Sequence, residues 1–265
     1  MNKERKETIS RRFSKAASTY DEYALVQKES GAGLLAMLPE DFIPGQVLEI
    51  GCGTGGFTAR LADRFPLARI TAIDFARGMI SRAEAMLAER SRVSFICRDG
   101  ELFLRENEKR FDLVTSNATM QWFDDIGLAL VNSARALDGN GVFLASFYGP
   151  ESLRELATGL AAVFGKQVTV AAGRFAGKEE IGRMARNSFS DVVVVEKIYR
   201  RSYPSLRSLL NHISKTGTGG YHPDLPAITR GKIARLESWF SGQGGYEISY
   251  QVFFLRASGQ KAGAR

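Results

Sequence analysis

From residue 46 onward, short apolar runs alternate with segments in which apolar residues recur every three or four positions. That alternation predicts strands at about 46–51, 69–74, 92–97, 111–116 and 141–147, connected by helices over 55–65, 79–89 and 126–137. Leu61 and Phe65 share one face of the first helix, and Met79, Ala83, Met86 and Leu87 share one face of the second. The sequence DGNG at 138–141 reads as a turn that ends the third helix. Two further β-branched stretches, 192–200 and 246–257, bring the strand count to seven. Strands alternating with helices predict an α/β fold, a mostly parallel sheet with crossover helices.

Two segments stand outside the alternation. Residues 1–40 read as amphipathic helix, with Phe13, Ala16, Ala17 and Tyr20 on one side and Leu25, Leu34, Leu35 and Leu38 following. Residues 204–241 begin at Pro204, hold two helical stretches around the glycine-rich break SKTGTGGYHP, and end near Trp239 and Phe240. An insertion of that length between neighbouring strands is more often a functional cover than a connector. The expected organisation is an N-terminal helical cover over 1–40, a core over 41–203 and 242–258, a helical lid over 204–241, and a tail over 259–265.

Composition narrows the class. With 265 residues and 44% hydrophobic content, the chain can bury a substantial core without staples. Its two cysteines, Cys52 and Cys97, form no CxxC pair and have no nearby histidine, so neither a disulfide framework nor a zinc site is expected. The charged opening MNKERKETISRRFSK lacks the apolar stretch of a signal peptide, and no apolar run approaches the ~18 residues of a membrane span. A soluble cytoplasmic protein is expected. Lysine plus arginine exceed aspartate plus glutamate by 36 − 29 = 7, which favours acidic partners without selecting one.

The stretch VLEIGCGTG, residues 47–55, runs a strand into glycines at alternate positions, where the backbone can take positive φ and approach a ligand closely. A P-loop would end in lysine followed by Ser or Thr, whereas this loop ends in Gly55, Gly56 and Phe57, so phosphate cradling is not expected. Gly51, Gly53 and Gly56 satisfy the spacing of a dinucleotide loop, but Glu49, two residues before the first glycine, would repel a pyrophosphate. A carboxylate there suits a ligand carrying positive charge, such as the sulfonium and ammonium of S-adenosylmethionine. Asp74, at the end of the second strand, is placed to accept ribose hydroxyls. Asp99, in ICRDG after the third strand, could accept from an adenine amino group, with Phe75 and Met79 on either side of the ring.

This combination resembles the class I S-adenosylmethionine-dependent methyltransferases over roughly residues 46–148. The resemblance implies a Rossmann-like seven-stranded, mostly parallel sheet with helices on both faces. It also implies a cofactor site formed by Tyr20, Gln27, Glu49, Gly51, Gly53, Gly55, Asp74, Phe75, Met79, Asp99, Gly100, Asn117 and Gln121, with no metal. After the fourth strand, TSNATMQWF lacks the proline-bearing signature of amino methyltransferases, and no arginine and aromatic stripe suggests a base-stacking groove. No histidine and carboxylate pair stands out as a general base. The acceptor is therefore expected to arrive already nucleophilic, as a carboxylate does with its pKa near ~4.

The segments RRFSKAASTYDEYALVQ (11–27), SNATMQW, FYGPESLREL (147–156) and SLRSLLNHISKTGT (205–218) are similar to the malonyl-acyl-carrier-protein O-methyltransferase family of biotin synthesis. That similarity spans most of the chain, and QW after strand four is shared with enzymes such as the trans-aconitate carboxyl methyltransferase. It implies methylation of the free carboxyl of a malonyl thioester on an acidic acyl carrier protein, with neither nucleic acid nor membrane as partner. A free small acid such as aconitate is the alternative acceptor, ahead of a nucleic acid or a non-catalytic cofactor-binding role. Tyr20 and Tyr203 are implied as substrate-orienting hydroxyls, with Trp122, Arg207 and Lys215 as substrate-binding groups. Ser214 stands where a basic residue often accompanies the lid lysine, so the two lid cations are not distinguished.

Overall fold

The computed structural model describes residues 3–216 and 229–261. The chain opens with helices α1 (Lys3–Ala16), α2 (Tyr20–Tyr23) and α3 (Leu25–Leu35). The alternating core follows as β1 (Gln46–Ile50), α4 (Gly56–Arg64), β2 (Arg69–Asp74), α5 (Arg77–Met86), β3 (Val93–Cys97), α6 (Gly100–Glu106), β4 (Phe111–Asn117), α7 (Ile126–Ala136) and β5 (Leu137–Tyr148). Then come α8 (Arg154–Phe164), α9 (Lys178–Ser188), β6 (Phe189–Tyr203), α10 (Leu206–Lys215), α11 (Arg230–Gly242) and β7 (Tyr246–Gln260).

The seven strands form one sheet in the order β3-β2-β1-β4-β5-β7-β6. The first five pair in parallel, and β7 inserts antiparallel between β5 and β6. Both faces are covered. Leu34, Leu61, Leu160, Leu209 and Phe240 place α3, α4, α8, α10 and α11 on one face, over Val47, Leu144 and Phe254. Leu104, Leu130 and Ile181 place α6, α7 and α9 on the other, over Leu48, Val114 and Phe143. This is the expected Rossmann-like sheet, with the strand order reversing between the parallel neighbours β1 and β4, where such sheets open a crevice at their carboxyl edge. No helix among the described residues is long and apolar enough to cross a membrane.

Four departures from the patterning have physical reasons. DGNG at 138–141 is no free turn: β5 begins at Leu137, which pairs with Phe111, and the next pair is Leu113 with Val142. The four residues bulge between those pairs, and Gly141 is required because a Cβ there would lie 2.9 Å from the Phe111 carbonyl. The last two strands run longer than expected because they pair with each other from end to end. The N-terminal segment is three helices rather than one; the break before α2 brings Tyr20 back against Phe13, ring centroids 6.5 Å apart. Helices α8 and α9 have no predicted counterpart. Gly159 weakens the helical signal of α8, yet a Cβ there would meet Leu236 and Trp239 of α11 at 2.8 Å, so packing requires the residue that propensity disfavours.

Within the insertion between β6 and β7, α10 and α11 are described; most of the glycine-rich break, with His222, lies outside the described residues. At the other end of the chain, α1 packs on the start of α5. Gly78 donates its N–H to Ser14 Oγ at 3.3 Å, Ser10 Oγ donates to the Phe75 carbonyl at 3.1 Å, and Ala17 buries against Ala76 and Met79.

A Cβ on Gly78 would stand 2.7 Å from the Ser14 carbonyl oxygen and 2.9 Å from Ser14 Cα, both backbone atoms that cannot swing aside. Gly78→Ala is expected to cost about 1–3 kcal/mol, the range for an overpacked contact, and to be met by displacement of α1. Limited proteolysis checks this: cleavage within residues 3–16 should accelerate in the variant while the sheet core stays protected.

Candidate active site

The carboxyl ends of β1, β2 and β4 meet under the N-terminal helices and enclose a pocket lined by Lys6, Ile9, Phe13 and Tyr20 from above and by Glu49, Gly51, Gly53, Asp74 and Asn117 from below. Its floor is the glycine loop. Gly51, Gly53 and Gly55 all have positive φ, at 75°, 55° and 90°. At Gly51 a side chain is doubly excluded, since a Cβ would fall 2.2 Å from Thr119. The N–H groups of Gly51 and Cys52 both donate to the Ile73 carbonyl, at 2.7 and 3.0 Å, which clamps the loop to the end of β2. At Gly53 and Gly56 an added Cβ would meet nothing within 4 Å, so both present bare backbone to the pocket.

Two carboxylates define the electrostatics. Glu49 is 1% exposed and neither oxygen has a hydrogen-bond partner. Burial pushes its carboxyl up to about 8; the neighbouring Thr58 hydroxyl opposes the shift without reaching hydrogen-bond geometry, and the Asp74 charge adds to it. Asp74 is better satisfied, with Oδ2 accepting from Gly53 N–H at 3.0 Å and Oδ1 from Ala76 N–H at 2.8 Å. Burial still holds it at about 6, against the pull of those amides. An unpartnered buried carboxylate beside bare glycine backbone fits a cationic group borne on an adenosyl ligand, which supplies the missing charge and hydrogen bonds.

The other expected residues divide. Tyr20, Gln27, Phe75, Met79, Asp99, Gly100, Asn117 and Trp122 line the pocket with Glu49, Gly51, Gly53 and Asp74. Burial, and then the Asp74 and Asp21 charges, raise the Tyr20 phenol, so it stays a proton donor. Asp99 caps α6, its Oδ1 accepting from Glu101 and Leu102 N–H groups at 2.9 and 3.1 Å, while Oδ2 accepts from Lys6 Nζ at 2.7 Å. Asn117 joins cover to sheet: Nδ2 donates to the Gln27 carbonyl at 2.9 Å, and Oδ1 accepts from Ser30 and Ser146 hydroxyls at 2.7 and 2.8 Å. Trp122 stands edge-on to Phe13 and Phe175, at 6.2 and 5.2 Å between centroids, and its indole N–H has no acceptor among the described residues.

Five residues sit elsewhere. Gly55 is buried against Ala83 and turns the chain into α4, leaving Gly56 to face the pocket. Gln121 points its amide back to the Ala118 carbonyl at 2.8 Å, supporting that residue's left-handed φ of 52°, and lines a separate cleft behind Trp122. Tyr203 is off the pocket in an aromatic group under α10, its hydroxyl 3.4 Å from that of Tyr250 and its ring 5.1 Å from His212. Arg207 is exposed along the groove between α10 and α11, and Lys215 is half-buried in the last turn of α10. Conversely, Lys6, Asp21, Thr54 and Phe123 line the pocket without having been singled out by pattern. Lys6 stands one turn before Ile9 on the face that leads to Phe13, but nothing local says which acids it meets. Burial would lower its ammonium, and hydrogen bonds and charges from Asp99 and Glu101 override that and raise it.

The Glu49 shift sets a pH dependence. In the folded protein its carboxyl keeps a proton up to about pH 8, whereas the ordinary value is 4.5, so folding takes up a proton between those limits. Its contribution to stability therefore falls as pH rises through that window. Glu49→Gln, which needs no ionisation, is expected to melt higher than the parent without ligand at pH 8 and above, and to match it near pH 5; differential scanning calorimetry across pH checks the crossover.

Comparison with known proteins agrees with this geometry. Residues 47–141 match the methyltransferase-domain family, the stretch that runs from β1 into β5. The malonyl-[acyl-carrier protein] O-methyltransferase of Bacillus anthracis is 33% identical over 94% of this chain and 96% of its own length. That of Acetivibrio thermocellus is 32% identical over 94% and 93%. Among solved structures, the YcgJ protein of Bacillus subtilis superposes with a TM-score of 0.61 at 15% identity, covering 88% of this chain and all of the other, which is a likeness of fold. The chain thus belongs to the malonyl-[acyl-carrier protein] O-methyltransferase family and is an S-adenosylmethionine-dependent O-methyltransferase.

Proposed function

We propose that the protein esterifies the free carboxylate of a malonyl thioester carried on acyl carrier protein, giving the methyl ester that starts pimeloyl synthesis for biotin. The observation that carries this reading is Trp122, which lines the pocket and whose indole N–H has no acceptor among the described residues. A neutral donor there can orient a carboxylate without quenching it. An ion pair in the ground state that weakens as the charges cancel would raise the barrier instead.

S-adenosylmethionine, when bound, supplies an electrophilic methyl on a sulfonium. Glu49 would hold the ammonium, Asp74 the ribose hydroxyls, and Asp99, Phe75 and Met79 the adenine. The carboxylate oxygen would form the new bond to the methyl carbon, with the carbon–sulfur electron pair left on sulfur. No proton moves, so no general base is called for, in keeping with an acceptor ionised at neutral pH. Tyr20, kept protonated, donates from the cover, and the helices α1–α3 exclude water, which favours charge cancellation. Holding the reacting atoms near contact supplies up to roughly 7–11 kcal/mol. The net charge of +7 favours an acidic carrier, and the position of Arg207 and Lys215 on α10, outside the pocket, supports a contact with its pantetheine phosphate rather than with the reacting carboxylate.

Incubation with the cofactor and malonyl-acyl-carrier protein, read by mass spectrometry, is expected to show one methyl group gained on the acyl chain. Methylation of free small acids with the carrier-bound thioester untouched would overturn the substrate reading. Trp122→Phe keeps the ring and removes the donor, and should lower kcat/KM by about ten- to a hundred-fold, the range for a hydrogen bond of ~1.5–3 kcal/mol to a charged group.

A further inference from the structure

Helix α1 lines the pocket with Lys6 beside the apolar Ile9 and Phe13. The Lys6 side chain is only 12% exposed, and its Nζ lies 2.7 Å from Asp99 Oδ2, 2.5 Å from Glu101 Oε2 and 3.6 Å from Asp124 Oδ2. Arg5 Nη1 reaches the same Asp124 at 2.9 Å. Three carboxylates, from the end of β3, the start of α6 and the loop before α7, are thus gathered by adjacent cations of the cover. The acids are themselves anchored: Asp99 caps α6, and Glu101 accepts from the Asp124 and Asp125 N–H groups at 3.1 and 3.0 Å. The lysine is delivered by a helix that is also tied to the core at Phe75 and Gly78.

We propose that Lys6 is a positioning residue for the cofactor: by bridging Asp99, Glu101 and Asp124 it clamps α1 over the adenine end of the pocket and fixes the Asp99 carboxylate that receives the adenine amino group. The inference rests on reading the pocket as the S-adenosylmethionine site. Without the ammonium, three clustered carboxylates repel one another at the rim, α1 loses its hold there, and Asp99 keeps its helix-capping oxygen but loses the restraint on the other. Cofactor and α1 therefore stabilise one another: the bound adenosyl group gives Ile9 and Phe13 a surface to close on, and the closed helix brings Lys6 to Asp99. Because the rim is not fully buried, the clamp weakens with salt.

The test is titration of the full-length protein with S-adenosylhomocysteine by calorimetry, with steady-state kinetics alongside. Lys6→Met is expected to weaken binding about ten-fold or more, to raise KM for the cofactor in step, and to leave kcat at saturating cofactor within about three-fold. Lys6→Arg should restore most of the affinity. Hydrogen exchange in α1 should slow on ligand binding in the parent and not in Lys6→Met. If Lys6→Met does not fold, Asp124→Asn loosens the same cluster from outside the pocket and serves the same two readouts. Parental affinity and parental protection of α1 in the folded variant would overturn the proposal. A parent that binds no S-adenosylhomocysteine would overturn the pocket reading instead.

Discussion

A carboxylate buried without a partner is among the least tolerable features a fold can carry, and Glu49 is one. Its position two residues before the glycine loop places it at the buried carboxyl end of β1. The loop beyond it must then curl back over the end of β2, which it does by putting three glycines in left-handed conformations and giving two N–H groups to a single carbonyl. Thr119 fills the space against Gly51, and the left-handed Ala118 beside it is held by Ser146 and Gln121. Left-handed backbone and an unpartnered carboxyl thus converge on the place where a cationic ligand would satisfy Glu49.

The covers answer the same need from above. Helices α1 to α3 contribute both apolar wall, through Ile9, Phe13 and Tyr20, and polar ties, through Lys6, Asp21 and the Gln27 carbonyl. Thr54 of the glycine loop donates to Asp21 at 2.6 Å, so loop and cover are fastened directly. On the acceptor side the proposed chemistry asks less of the protein: a carboxylate that arrives ionised would call for orientation and dryness. Trp122 and Tyr20, both in the pocket wall, are the neutral donors proposed to give that orientation.

Sequence reasoning reached the sheet and the pocket floor because both rest on short-range pattern. Strand and helix periods, the LEIGCGTG run and the acids ending β2 and following β3 are each legible within a few residues. It misplaced what depends on the direction of a side chain. Gly55 and Gly56 are neighbours with opposite surroundings; Gln121 and Trp122 likewise, one amide turned to the backbone and one ring to the cavity. Tyr203 belongs to a strand edge whose tyrosines meet each other under α10.

By itself the sequence determined an alternating α/β core and a glycine loop flanked by carboxylates, because both follow from local spacing and chemistry, and through its resemblance it pointed to an S-adenosylmethionine-dependent O-methyltransferase. Tertiary structure alone decided that β7 runs antiparallel between β5 and β6, and that Lys6 meets Asp99 across 93 positions of chain. It also decided which aromatic hydroxyls and indoles face the cavity. Such contacts depend on how helices seat against the sheet, and that is set by the packing of the whole core and by no run of neighbouring residues.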